Sequence, residues 1–321
     1  MPYDRPMKHT RSRVLLFVFL LSLNRPLPNI RALPHETLVL GLMPAVNIAP
    51  IIVAQAEGFF QQEGLTLKIE LFKNQMYRES ALQAGTIDGT VSDLINAVNA
   101  VAQGFPLKVT SASEGIFGLV AAPRSKFPDA SSWKNATSGT KLRVGLLENS
   151  IIFYVTERML EKRGIPTGII ELVSSPQLPA RMEMLLAGRI DAACLPEPMV
   201  SLALGSGATL VALTESLPFT PGVILFTEKA LKTKPLLVKA FYRGYNRGVA
   251  SLARNPEGFK PLILEKAEFP PSIKEFSLPV FAPARPTRVD EYRDVTDWMR
   301  TKGLLSSIPP YEKVVDGSYL P

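Results

Sequence analysis

Ten polar residues of this sequence stand in short segments between apolar stretches, and they are our candidates for contacting a small molecule. Their hydroxyl, amide and carboxylate groups donate and accept hydrogen bonds, which suits reversible binding rather than covalent chemistry. The ten candidates are Asn47, Gln75, Ser92, Asp93, Glu114, Glu148, Asn149, Ser150, Glu197 and Thr220.

Histidine and cysteine, which most catalytic and metal sites require, are scarce in the chain. The 321 residues include two histidines, His9 and His35, and one cysteine, Cys194. These counts exclude an internal disulfide, a Ser-His-Asp triad and most zinc catalysis. We therefore predict a protein that is not an enzyme and that uses no cofactor and no metal.

The net charge of +7 is concentrated near the N-terminus. Residues 1–32 hold six basic residues and one acid, so most of the positive charge belongs to this segment. The rest of the chain therefore lacks the excess of basic residues that indicates nucleic-acid binding. The basic stretch RPMKHTRSR precedes the apolar run Val14–Leu23, which is far shorter than the roughly 20 residues that span a bilayer. This pattern predicts an export signal over residues 1–32, cleaved near Ala32, and a periplasmic protein. The alternative is an N-terminal core strand or helix.

The pattern R-x-x-x-L-x-A-G-x-I-D occurs twice, beginning at Arg78 and at Arg181. Around each copy, apolar segments with strand-like and helix-like periodicity alternate in the order strand, helix, strand, helix, strand. The first long helix is predicted to run to Gly64 in one copy and to Gly164 in the other. Such alternation predicts two similar α/β lobes with parallel sheets.

The A-G-x-I-D part of the repeat is interpreted as structural. Its glycine ends the second helix of each copy, and its isoleucine begins a buried strand. We predict that the aspartates, Asp88 and Asp191, bind local backbone rather than a ligand.

The lobes determine where the ten candidates lie. Ligands of parallel sheets bind at the carboxyl ends of strands, beside helix N-termini. Asn47, Ser92 or Asp93, and Asn149 or Ser150 are predicted helix caps at such turns, and Glu197 precedes a helix that starts at Pro198. The segments Ser111–Val120 and Pro218–Phe226 are predicted to pass between the lobes, which puts Glu114 and Thr220 at the base of the cleft.

Several segments of the chain resemble the solute-binding proteins of ABC importers of the nitrate, sulfonate and taurine type. The segments are APIIVAQAEGFFQQEGL, ALQAGTIDGTVSD, GFPLKV, EMLLAGRIDAACLPEP, FTPGVILF and YEKVVDGSYLP. The resemblance implies the type II periplasmic binding protein fold, with lobe I from residues 33–117 and 223–321 and lobe II from residues 118–222. It also implies a monomer that closes on one small-molecule ligand, docks on a membrane permease and binds no nucleic acid.

The candidate turns are acidic, whereas a sulfonate or nitrate binder is expected to present basic groups. Asp93, Glu114, Glu148 and Glu197 lie in these turns, and no arginine is assigned to the cleft. A buried carboxylate needs a donor partner, so we predict a nitrogen-containing ligand such as an aminopyrimidine or an amine. The alternatives are a sulfonate or nitrate ligand, a ligand-sensing protein, and an enzyme related to pyrimidine synthases.

Overall fold

The computed structural model describes Met1 and residues 37–137, 139–175 and 177–321. The predicted export signal, its cleavage position near Ala32, and both histidines lie outside the described residues. Residues His35–Pro321 form one compact unit. Within the described ranges, no helix is long and apolar enough to cross a membrane.

The described strands form two five-stranded sheets. Sheet I has the order β2-β1-β3-β10-β4, and sheet II has the order β7-β6-β8-β5-β9. The strands are β1 Thr37–Leu42, β2 Thr66–Leu71, β3 Gly89–Asp93, β4 Leu107–Ser113, β5 Phe117–Ala121, β6 Leu142–Leu146, β7 Ile170–Ser174, β8 Ala192–Pro196, β9 Thr209–Leu213 and β10 Gly222–Thr227. The predicted pair of similar α/β lobes is confirmed, with lobe I built on sheet I and lobe II on sheet II.

Both sheets are mixed, so the prediction of parallel sheets is wrong for one strand in each. β10 pairs antiparallel with β3 and β4, and β5 pairs antiparallel with β8 and β9. These two strands follow the passages between the lobes. A strand that enters a sheet at the carboxyl edge of its neighbours has to run in the opposite direction to them.

The helices cover the faces of the two sheets. They are α1 Ala49–Ala56, α2 Phe59–Gln62, α3 Gln75–Ala84, α4 Leu94–Ala102, α5 Ala130–Lys134, α6 Ile151–Lys162, α7 Leu178–Leu186, α8 Met199–Gly205, α9 Glu228–Thr233, α10 Pro235–Arg254, α11 Pro256–Lys266, α12 Val289–Thr301 and α13 Tyr311–Val314. The helix predicted to reach Gly64 is interrupted, because Gly58 takes a left-handed conformation with φ of 71° between α1 and α2. The long helices α10 and α12 contribute Phe241, Tyr242 and Trp298 to the packing, and all three side chains are buried.

The duplicated motif serves the same structural purpose in each lobe. Gly85 caps α3 with a φ of 71°, and Gly188 follows α7 with a φ of 66°. Ile87 and Ile190 are buried as expected, although each lies just before its strand rather than within it.

Each motif aspartate binds the strand that begins its copy of the repeat, which is β1 in lobe I and β6 in lobe II. An Asp88 oxygen accepts from the Val39 N–H at 2.8 Å, and an Asp191 oxygen accepts from the Arg143 N–H at 2.7 Å. Both aspartates thus bind backbone as predicted, but the backbone is that of a strand 49 and 48 residues away in the chain rather than of the local turn. Asp88 has an additional partner, because the Lys234 ammonium lies 2.8 Å from it.

Helices α6 and α12 connect the two lobes away from the strands. α12 packs against α4 of lobe I. The buried Glu157 of α6 accepts hydrogen bonds from Trp298 Nε1 at 2.7 Å and from the Lys302 ammonium at 2.6 Å. Tyr154 and Arg158 of the same helix both bind Asp294, which lies one turn before Trp298 on α12. We call these residues the α6–α12 contact.

The two motif aspartates, Asp88 and Asp191, are expected to contribute different amounts to the stability of the protein. We expect Asp88→Ala to lower the free energy of unfolding by about 2–3 kcal/mol and Asp191→Ala by about 1–2 kcal/mol, because only Asp88 also pairs with a lysine. Urea denaturation measures both values. Asp297→Ala is the control, since its ion pair with Arg300 is exposed and contributes less than about 1 kcal/mol. Equal losses for Asp88 and Asp191 would contradict a contribution from Lys234.

Candidate functional site

A cavity of about 430 Å³ lies between the two lobes and is lined by residues of both. This volume lies within the range of ordinary small-molecule sites, roughly 300–1,000 Å³. The passages between the lobes also reach the wall, through Glu114 and Thr220. Of the ten candidates, six line the cavity: Asn47, Gln75, Ser92, Asp93, Glu114 and Thr220.

The remaining four candidates lie outside the cavity wall, although all are in the described part of the chain. Glu197 is buried and binds Ser201 at the start of α8, with its oxygens 2.8 Å from the hydroxyl and 3.1 Å from the N–H. Ser150 occupies the cap position of α6, but its hydroxyl donates to the Leu147 carbonyl instead. Asn149 takes a left-handed conformation with φ of 56°, and Glu148 is its neighbour in the same turn.

A chain of hydrogen bonds organises the lobe I wall. Gln75 Nε2 donates to Asn96 Oδ1 at 2.8 Å, and Asn96 Nδ2 donates to Asp93 Oδ2 at 2.7 Å. The other Asp93 oxygen accepts from the Asn96 N–H at 2.9 Å, so Asp93 is the cap of α4, one of the two alternatives predicted. Asn47, in contrast, lies in a 3-10 turn before α1, whose cap position is Ile48. The Gln75–Asn96–Asp93 chain holds these side chains in fixed orientations.

Burial makes Asp93 easier to protonate than an ordinary aspartate. Desolvation raises its pKa to about 6, although the hydrogen bonds from Asn96 and the charge of Arg78 act in the opposite direction. Near neutral pH the site can therefore present either a carboxylate or a carboxylic acid, depending on what binds beside it.

Two arginines line the cavity, which corrects the expectation that the cleft contains none. Arg78 Nη1 donates to the Val91 carbonyl at 2.9 Å, and Arg181 Nη1 donates to the Cys194 carbonyl at 3.0 Å. Arg78 Nη2 also donates to Ser92 Oγ at 3.1 Å. Burial lowers the pKa of both guanidinium groups. Their repeated position before the A-G-x-I-D motif was the sequence signal for this pair.

The lobe II wall is mostly apolar, although it occupies the equivalent positions of the repeat. Leu195 and Pro196 stand 103 residues after Ser92 and Asp93, and Leu178 stands 103 residues after Gln75. The cavity thus has a polar wall on lobe I and an apolar wall on lobe II. The apolar wall consists of Phe117, Leu147, Ile151, Ile152, Leu178, Pro179 and Pro196.

Gly222 opens the floor of the cavity between two polar strand ends. It pairs with Asp93 of β3 on one side and with Ser113 of β4 on the other, and all three residues line the cavity. A Cβ atom at this position would lie 2.5 Å from the Ser113 carbonyl oxygen, so the position requires glycine. Ser113 and Asn96 were not among the residues chosen from the sequence, and their types carry no signal that distinguishes them from other polar residues.

The two lobes and the cavity between them have the architecture of the type II periplasmic binding protein fold. Among solved structures the chain is similar to the ligand-binding component of an ABC-type import system from Staphylococcus aureus with zinc bound, with a TM-score of 0.70, 16% identity, and coverage of 88% of this chain and 97% of that one. It is also similar to the alkanesulfonate-binding protein SsuA from Xanthomonas axonopodis pv. citri bound to MOPS, with a TM-score of 0.68, 20% identity, and coverage of 89% and 98%.

Residues 31–255 match the NMT1-like family, and the chain belongs to that family. Over 240 residues it is 25% identical to the riboflavin-binding protein RibY of Chloroflexus aurantiacus. That match spans 72% of this chain and 66% of the relative. In the described ranges, no group of three His, Cys, Asp or Glu side chains is arranged to hold a metal ion.

The raised pKa of Asp93 predicts how stability depends on pH. An unfolded aspartate ionises near pH 4, whereas folded Asp93 keeps its proton up to about pH 6, so stability falls as the pH rises through this window. The variant Asp93→Asn has no carboxyl group at this position, so its free energy of unfolding does not show this decrease. We expect the difference in unfolding free energy between variant and wild type to change by about 2–3 kcal/mol, in favour of the variant, from pH 4 to pH 7.

Urea denaturation at several pH values measures this difference, and Asp129→Asn is the matched control. Asp129 caps the exposed helix α5, and its pKa is lowered by hydrogen bonds from Ser132. Its stabilisation is therefore lost as the pH falls, which is the opposite sign. A difference for Asp93→Asn that stays constant from pH 4 to pH 7 would contradict the assignment.

Proposed function

We propose that this protein is a periplasmic solute-binding protein of an ABC importer, which captures a small nitrogen-containing organic ligand and delivers it to a membrane permease. The observation that carries the proposal is the interlobe cavity with its polar wall on lobe I and its apolar wall on lobe II. A ligand that bridges the two walls stabilises the closed arrangement of the lobes. The protein acts as a monomer, by binding alone and without covalent chemistry.

The two walls favour a planar heterocycle as the ligand. The apolar wall offers Phe117, Ile151 and Leu178 to a ring face. The polar wall offers acceptors on Asp93 and donors on Gln75, which match the N–H and C=O groups along the edge of a nitrogen heterocycle. Aminopyrimidines and flavins both have this construction. The riboflavin-binding relative, at 25% identity, supports a test of riboflavin first.

A sulfonate or nitrate ligand is the second candidate, and the observation that favours it is the presence of Arg78 and Arg181 in the wall. Guanidinium groups bind oxyanions well. In this structure, however, both arginines already donate to backbone carbonyl oxygens of β3 and β8. An anion would have to share those donors or use Arg78 Nε, which has no partner among the described residues, whereas a heterocycle would leave the existing bonds in place.

A thermal-shift and calorimetry panel tests the proposal. We expect riboflavin or an aminopyrimidine to raise the melting temperature, since a ligand at 100 times its Kd adds about 2.7 kcal/mol. Taurine and nitrate are the comparison compounds. A response to these anions alone would contradict the heterocycle and favour the second candidate.

A variant of the polar wall tests whether the cavity is the site. We expect Gln75→Ala to weaken the binding of the panel compound about tenfold, which corresponds to about 1.4 kcal/mol, because it removes the donor at the end of the Gln75–Asn96–Asp93 chain. Gln103→Ala is the matched control, since Gln103 is exposed beyond α4. Equal affinities of the two variants would place the ligand elsewhere.

A further inference from the structure

Three of the buried side-chain atoms that have no hydrogen-bond partner in the described protein belong to residues of the cavity wall. They are Arg78 Nε, Ser113 Oγ and Glu114 Oε2. A buried polar atom without a partner destabilises a folded protein, because it has lost its hydrogen bonds to water and gained none in exchange. Their concentration around one cavity indicates that the cavity's occupant supplies the missing partners.

Ser113 and Glu114 form a separate polar group on the floor of the cavity. β10 lies between β3 and β4, and Gly222 pairs with both Asp93 and Ser113. Two interstrand spacings of about 4.8 Å therefore separate the backbones of Asp93 and Ser113, which is roughly 10 Å. Because Gly222 has no side chain, the floor between them is open. We call Ser113 and Glu114 the hinge-side pair.

We propose that the hinge-side pair binds a hydroxyl or amine group of the ligand, separate from the heterocycle edge that contacts the Gln75–Asn96–Asp93 chain. This inference rests on the proposed function and specifies the ligand further. A carboxylate oxygen accepts a hydrogen bond but cannot donate one, so Glu114 Oε2 requires an O–H or N–H donor. Ser113 Oγ can accept from an amine, and it can donate to or accept from a hydroxyl. The ligand then has a second polar group in addition to the heterocycle edge that contacts Asp93.

The surroundings of Glu114 are consistent with an unfilled partner position. The carboxyl is faced by Arg285 and Glu291 from the C-terminal segment and by Tyr245 of α10. Arg285 forms a salt bridge with Glu291, in which Arg285 Nη2 lies 2.8 Å from the Glu291 carboxylate. The Tyr245 hydroxyl also has no partner. Burial raises the pKa of Glu114, while the backbone N–H groups of Glu114 and Ala282 act in the opposite direction.

The stability of the ligand-free variants is the first measurement. We expect Ser113→Ala and Glu114→Gln to be no less stable than wild type at pH 8. The atoms that they replace, Ser113 Oγ and Glu114 Oε2, make no hydrogen bond within the described protein that could be lost. Glu114→Gln also removes a buried charge, so its melting temperature is expected to exceed that of wild type at pH 8. A fall in stability for both variants would show that internal partners exist and would overturn the inference.

The second measurement is the affinity for riboflavin and for lumiflavin, which has the same ring system without the hydroxylated side chain. We expect wild type to bind riboflavin at least about tenfold more tightly than lumiflavin. Ser113→Ala and Glu114→Gln are expected to bring the two affinities together. Thr287→Val is the matched control, because Thr287 Oγ1 is also buried and unpaired but does not line the cavity.

The outcomes separate this inference from the proposed function. If wild type binds another panel compound instead of a flavin, the same variants are titrated with that compound, and unchanged affinities overturn the inference. Equal wild-type affinities for riboflavin and lumiflavin also overturn it. If wild type binds no compound of the panel while the ligand-free variants keep their stability, the proposed ligand class fails together with the inference drawn from it.

Discussion

The structure depends on one constraint, which is that the chain passes between the lobes at the carboxyl edges of the strands. β4 ends at Ser113 and β5 begins at Phe117 in the other sheet, while β9 ends at Leu213 and β10 begins at Gly222, so the two passages have three and eight residues. A strand that starts at this edge runs away from it and is antiparallel to its neighbours. The passage residues themselves then lie against the cavity. The binding site and the connection between the lobes therefore share the same backbone.

The two lobes keep the same structural contacts but differ where they face the cavity. Arg78 and Arg181 each bind a strand carbonyl, and Asp88 and Asp191 bind the backbone of β1 and of β6, respectively. These contacts stabilise an α/β unit regardless of what it binds. At the cavity the equivalents diverge, since Pro196 stands where lobe I has Asp93. The chemistry of the site thus comes from the departures from the repeat rather than from the repeat.

The sequence predicts this fold well where the periodicity is regular and less well where the backbone conformation or long-range pairing decides. The repeat predicts two lobes, and the long amphipathic pattern of α10 predicts its extent. The break at Gly58 depends on a left-handed conformation, which glycine permits but does not require. The direction of β10 depends on the chain entering sheet I at the edge beside the cavity. The periodicity of the sequence does not encode this path.

The residues of the site are likewise predictable where local pattern determines their position and not where tertiary contacts determine it. Asp93 was recognisable because a capping residue after a buried strand has a defined place at a sheet edge. Arg78 was not assigned to the cleft, because only its tertiary contacts with Val91 and Ser92 show that its side chain is buried there. Ser113 lies at the end of a strand whose neighbour, β10, arrives more than a hundred residues later. Local pattern cannot reveal such a pairing.

Helix α6 links the cavity to the relative position of the lobes. Its first residues, Ile151 and Ile152, line the cavity, and within two turns Tyr154, Glu157 and Arg158 contact α12. A ligand that displaces the lobe II wall would therefore also displace α6 at the α6–α12 contact. Glu157 is buried with two donors, so an arrangement that separates it from Trp298 and Lys302 has to supply water or other partners. Since a ligand shifts a conformational equilibrium only by its differential affinity for the two states, the α6–α12 contact would enter the affinity of the proposed site only by as much as it differs between those states.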